Sequence, residues 1–169
     1  MADTKKTILG STEYVTIFDQ SNIPAKIDTG ADSSSIHVTN LQVGKDQKLS
    51  FTLFSKKSPF YTGKVLTRDQ YSVLIVRSSN GTEQIRYSTY IPITIGGRKI
   101  RVRFTLADRS RNNFPILIGR KTLTNKFLVD VSKSAIQRPP RNAKTSPLNR
   151  ELKENPYKFH QKYLNRLTK

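Results

Sequence analysis

Asp28-Thr29-Gly30 is the tripeptide in this chain best equipped to do chemistry. An acid at the end of the short apolar run Ala25-Lys26-Ile27, followed by a β-branched hydroxyl residue and a glycine, describes a carboxylate carried on a tight turn. Such a group acts as a base toward water when ionised and as an acid when protonated. Here Thr29 is expected to lock the turn through its hydroxyl, and Gly30 to let another backbone approach closely. The same three residue types also make an ordinary polar turn, so the tripeptide alone leaves both meanings open.

Other chemistries have little to work with. Cysteine is absent, which excludes a disulfide framework, a thiolate metal site and a cysteine nucleophile. The only histidines are His37 and His160, there is no His-Glu-x-x-His, and no Gly-x-x-x-x-Gly-Lys-Ser/Thr loop occurs. No metal and no cofactor is expected, and His37 reads as a packing or substrate-adjacent residue. The 30 Lys and Arg against 12 Asp and Glu give a net charge of +18, a field that concentrates polyanions such as nucleic acid, acidic peptide or anionic lipid. No apolar stretch is long enough to span a bilayer and the N-terminus lacks a signal-peptide pattern, so no membrane contact and a cytoplasmic location are expected.

The elements that must hold Asp28 are strands. Tyr14–Phe18, Leu49–Phe54 and Tyr71–Val76 are rich in β-branched and aromatic residues. Asn80-Gly81 and Gly96-Gly97 each separate two such runs, and both pairs suit the positive φ angles of tight hairpin turns. One helical turn is expected at Gly119–Thr124, after the apolar run Pro115–Ile118. The pattern predicts a mostly-β barrel or sandwich over residues 1–137. From Arg138 the composition shifts: residues 138–169 hold nine Lys and Arg and two Glu. This basic tail opens as a Pro-rich linker through Ser146-Pro147, with a short helix near 156–168 capped by Asn155.

Several segments, taken in order, resemble the retropepsin-like aspartic proteases: Asp28-Thr29-Gly30-Ala31, a hairpin at Asn80-Gly81, and Leu117-Ile118-Gly119-Arg120. Val76–Gly81, Gly96-Gly97-Arg98, Phe104–Arg109 and Phe127–Asp130 look more closely like its RimB-type branch, whose members often carry the name ATP-dependent zinc protease. The resemblance covers roughly Tyr14 to Ser134 and implies a closed barrel with a flap hairpin and one short helix. It further implies a homodimer in which Asp28 of each subunit, with Thr29 and Gly30, forms the catalytic dyad. Substrate would lie against Ala31, Asp32, Arg120 and the flap residues Ser78, Ser79, Asn80 and Gly81, with Asp32 pairing to Arg120. That pair serves equally as a plain structural salt bridge.

Ala31 replaces the serine found in many acid-working relatives, and losing that hydroxyl should keep the dyad protonated to higher pH. The implied substrate is an acidic, poly-glutamate-like tail, as on a glutamylated ribosomal protein. Arg68, Arg77, Arg86, Arg98, Arg101 and Arg103 stand around the hairpins that would frame such a cleft. A different class of function also fits the charge: a non-catalytic basic β-module that binds RNA or the ribosome. Tyr157, Phe159 and Tyr163 among the tail's cations are compatible with base stacking.

Overall fold

Runs of β-branched and aromatic residues set the strands. The computed structural model describes residues 6–77, 81–137 and 142–163. In chain order these form β1 (Thr7–Leu9), β2 (Thr12–Ile17), β3 (Gln20–Asp28), β4 (Ser34–Val43), β5 (Leu49–Leu53), β6 (Val65–Arg68), β7 (Ser72–Arg77), β8 (Glu83–Ile95), β9 (Arg98–Ala107) and β10 (Ile116–Gly119). A single helical turn, α1 (Arg120–Leu123), then leads to β11 (Phe127–Val129).

Six strands close on themselves in the order β10-β3-β2-β8-β9-β4, with β4 returning to β10. Closure removes free sheet edges and encloses one core. Val15, Ile23, Ile36, Ile91, Phe104 and Ile116 are fully buried in it. Each such side chain contributes about 1.5–3 kcal/mol by leaving water. The mostly-β barrel expected from the pattern is therefore the observed fold.

Two features of the topology bear on Asp28. β10 runs parallel to β3 and antiparallel to β4, so a late segment is threaded between the two strands that flank the Asp28 turn. β8 is long enough to serve two structures. Its first half pairs with β7 as the exposed hairpin expected over the site, and its second half pairs with β9 inside the barrel. Ser88 belongs to both ladders. The barrel hairpin turns at Gly96 and Gly97, whose φ values of 55° and 75° match the expected turn.

The chain divides into two compact units, residues 1–136 and 137–169. In the second, α2 (Asn142–Glu154) and α3 (Pro156–Tyr163) join Glu151 to Lys162 Nζ at 2.7 Å and to the Tyr163 hydroxyl at 2.9 Å. Asn155 caps α3, its Oδ1 accepting the Lys158 N–H at 2.9 Å. The expected linker around Ser146-Pro147 is instead helical. Pro147 lies inside α2, the sixth of its thirteen residues, where its missing N–H removes one intrahelical bond, and the following Leu148–Glu154 stretch favours helix. The expected helix near 156–168 is described as far as Tyr163, and its remainder lies outside the described residues.

Candidate active site

Asp28 is the last residue of β3, and the chain turns directly after it. Its Oδ1 accepts the backbone N–H groups of Gly30 at 3.1 Å and Ala31 at 3.3 Å, while its Oδ2 accepts a hydrogen bond from Lys26 Nζ at 2.9 Å. The turn is thus locked by the aspartate. Thr29, expected to lock it, is exposed and makes no side-chain hydrogen bond among the described residues. The Lys26 ammonium, aided by the two backbone donors, holds the Asp28 carboxyl below its ordinary value of 3.8, against the opposing effect of partial burial.

The segment after the turn is fixed from below by Gly119 and α1. Gly119 pairs with Asp28 across the β10–β3 ladder. A Cβ at Gly119 would lie 2.5 Å from the Ser33 carbonyl oxygen and 2.9 Å from that of Ala31, so only glycine fits. The Gly119 N–H donates to Ser34 Oγ at 3.0 Å, and the Arg120 N–H donates to the Ala31 carbonyl at 2.7 Å. Arg120 and Asp32 form an ion pair across this junction, each side chain well exposed. The Leu117-Ile118-Gly119-Arg120 signature is therefore the underside of the Asp28 turn.

Between this turn and the β7–β8 hairpin lies a cavity of about 520 Å³. Gly30, Ala31 and Asp32 bound it on one side, Val76 and Arg86 on the other, and Arg109 lines it as well. The hairpin arms are tied by an ion pair between the register partners Arg77 and Glu83. Gly81, with φ 83°, stands at the start of the returning arm. Ser78, Ser79 and Asn80 lie outside the described residues.

His37 is buried and belongs to the scaffold. Its Nδ1 accepts the Arg109 N–H at 2.8 Å, which fixes the loop after β9. Two residues that matter here were not singled out by sequence. Lys26 is visible in retrospect as the i−2 neighbour of Asp28 on a strand, where side chains two apart share a face. Arg109 ends the Phe104–Arg109 segment that resembles the family, but that segment does not mark it as a cavity residue, because its place there depends on how β9 ends.

Comparison with known proteins agrees with this geometry. Residues 8–140 match the RimB-like family, described as the retropepsin-like aspartic endopeptidase RimB. The chain belongs to that family. Proteins named probable alpha-L-glutamate ligase from Shewanella pealeana and Shewanella halifaxensis are each 33% identical over 135 residues, covering 76% of this chain and 29% of theirs. The chain therefore spans under a third of the length of these curated relatives. The RimB-like barrel is also similar to the crystal structure of Lpg0085, a protein of unknown function from Legionella pneumophila. That likeness has a TM-score of 0.58 and 26% identity, and covers 76% of this chain and 95% of the other. No helix among the described residues is long and apolar enough to cross a membrane.

Proposed function

We propose that this RimB-like chain is an aspartic endopeptidase that works as a symmetric homodimer and cleaves acidic, glutamate-rich peptide tails. The observation that carries the reading is Asp28 itself, a partly exposed carboxylate held by two backbone N–H groups beside a cavity roofed by a hairpin. Peptide hydrolysis by the aspartic mechanism needs two such groups in opposite protonation states. One carboxylate takes a proton from water as the water oxygen attacks the carbonyl carbon. The other gives its proton to the carbonyl oxygen. The carboxyl that took the water proton then gives it to the amide nitrogen as the C–N bond breaks, and the other carboxylate recovers a proton from a hydroxyl of the tetrahedral intermediate, leaving a carboxylic acid and an amine.

Each chain supplies one Asp-Thr-Gly turn, so the second carboxylate comes from Asp28 of another copy related by a two-fold axis. Support for assembly comes from apolar surface that a single subunit leaves uncovered: the register partners Ile8 and Leu128 are 54% and 53% exposed, and Val131 is 79% exposed. The exposed Thr29 hydroxyl beside Asp28 offers a polar contact to the same partner. Support for an acidic substrate comes from the net charge of +18, and from relatives whose name concerns joining α-L-glutamate.

Incubating the full chain with a glutamate-rich peptide and following the products by mass spectrometry tests the reading. Cleavage by the wild type, lost by at least about a thousandfold in Asp28→Asn, is the expected result. Equal cleavage by both would overturn it. So would the absence of cleavage by a correctly folded, dimeric wild type.

A further inference from the structure

The cavity beside Asp28 holds a cation that lacks an anion. Arg109 lies at the end of the β9 segment, only partly exposed. Its guanidinium is anchored by Nε donating to the Phe114 carbonyl at 3.2 Å, and its backbone by the bond to buried His37. Among the described residues no carboxylate pairs with it. Burial and the charge of Arg86 both weaken its hold on its proton, with only the smaller effect of the Asp28 charge opposing them. Two guanidinium groups repelling each other across one cavity, one of them desolvated, is an arrangement that a bound anion would relieve.

A second, independent observation lies in the same cavity wall. Ser35 on β4 is 5% exposed and lines the cavity, and its Oγ has no hydrogen-bond partner among the described residues. Its neighbour in the β4–β9 ladder, Thr105, donates its own hydroxyl to the Ser34 carbonyl at 3.1 Å. Buried hydroxyls in folded proteins are almost always satisfied, so an orphan in the residue layer that lines a cavity is a bonding capacity left unused beside it.

We propose that Arg109 and Arg86, with Ser35 beside them, form a carboxylate subsite that takes an acidic side chain of the substrate next to the scissile bond. A guanidinium with its stem fixed presents its remaining N–H groups in the fork that a planar carboxylate accepts. The ligand is an extended peptide: the subsite is continuous with the segment after Asp28 and roofed by the β7–β8 arms, the geometry of a chain passing through. Arg86 rides on the hairpin and Arg109 on the barrel, so a carboxylate bridging them would also draw the hairpin down. This subsite deepens the peptidase reading above and rests on it.

The test is binding, so that it stands apart from turnover. Hexaglutamate and hexaglutamine are titrated calorimetrically against the full chain carrying Asp28→Asn, at matched ionic strength. Hexaglutamate should bind at least about tenfold more tightly, and adding Arg109→Met or Arg86→Met should each remove most of that preference. Arg109→Lys, which keeps the charge and loses the fork, should keep part of it. Thermal melts verify folding, and if Arg109→Met unfolds, Arg86→Met on the hairpin decides the matter. Undiminished discrimination in folded Arg86→Met and Arg109→Met proteins would overturn the subsite. So would equal binding of the two peptides by the Asp28→Asn chain. Absence of hydrolysis by the wild type, with the binding preference intact and Arg-dependent, would sink the peptidase reading and leave the subsite standing.

Discussion

Lys26 Nζ lies 2.9 Å from Asp28 Oδ2, so the candidate catalytic carboxylate carries its own cation on the same strand. In a shared-proton dyad this cation and the proton compete for one group. Ala31, by removing a hydroxyl that would favour ionisation, works in the direction of the proton, and Lys26 works against it. Under the proposed mechanism the working pH follows from that balance rather than from Ala31 alone.

Replacing Lys26 with methionine should therefore move the whole bell-shaped pH profile of kcat/KM upward. Without the ammonium the ionised carboxylate is less favoured, so the first proton and the shared proton both leave at higher pH. The Lys26 side chain is 42% exposed and water screens the pair, so the upward shift is a partial one. Profiles measured on one acidic peptide check this. A superimposable profile, or a shift to lower pH, would show that Lys26 turns away from Asp28 in the working enzyme.

Gly119→Ala tests the threading of β10 beneath the Asp28 turn. The added methyl meets the backbone of Ser33 and Ala31 with no flexible side chain to give way. A loss of about 2–3 kcal/mol in stability is expected from urea unfolding midpoints. Because the displaced carbonyls belong to the residues just after Asp28, activity should fall further than stability alone explains. A variant as stable as the wild type would mean that the turn and β10 do not sit as described.

Much of this was legible in the sequence, and for identifiable reasons. The Gly96-Gly97 hairpin announced itself because positive φ leaves a chemical trace, and Asp28 and Gly119 because a carboxylate turn and a closely packed backbone restrict residue type. β4 left no such trace. Its first residues, Ser34, Ser35 and His37 among them, are polar yet buried, and the groups that meet Ser34 Oγ and His37 Nδ1, the Gly119 and Arg109 N–H, come from far along the chain. β1 and β11 are three residues each, too short for a period to register. Arg109 closes the Phe104–Arg109 segment that resembles the family, yet nothing local to it encodes that the β9 end folds back over His37.

Arg120→Met separates the two roles open to the Asp32–Arg120 pair. Both side chains are 60% exposed, so as a surface ion pair it should contribute no more than about 1 kcal/mol to stability. If Asp32 also meets the substrate main chain, losing its partner frees the carboxylate to wander, and KM should rise several-fold with kcat less affected. Melting curves alongside steady-state kinetics measure both. An unchanged KM together with a small stability loss would leave the pair as a structural bridge only.

Assembly supplies the last prediction, because under the proposed mechanism one carboxylate per chain makes hydrolysis depend on dimer concentration. Two subunits of charge +18 repel, and the range of that repulsion shrinks from about 30 Å at 0.01 M salt to about 8 Å at 0.15 M. Sedimentation equilibrium should therefore show tighter association as salt rises, and specific activity measured at a fixed low enzyme concentration should rise with it. Ile8→Asp combined with Leu128→Asp places like charges on the exposed face of the β1–β11 pair. That variant should remain folded, since each site is solvent-facing in the single subunit, yet sediment as a monomer and lose activity by at least about tenfold. Full activity from a species that stays monomeric at every salt concentration would remove the need for a second Asp28, and with it the shared-proton mechanism.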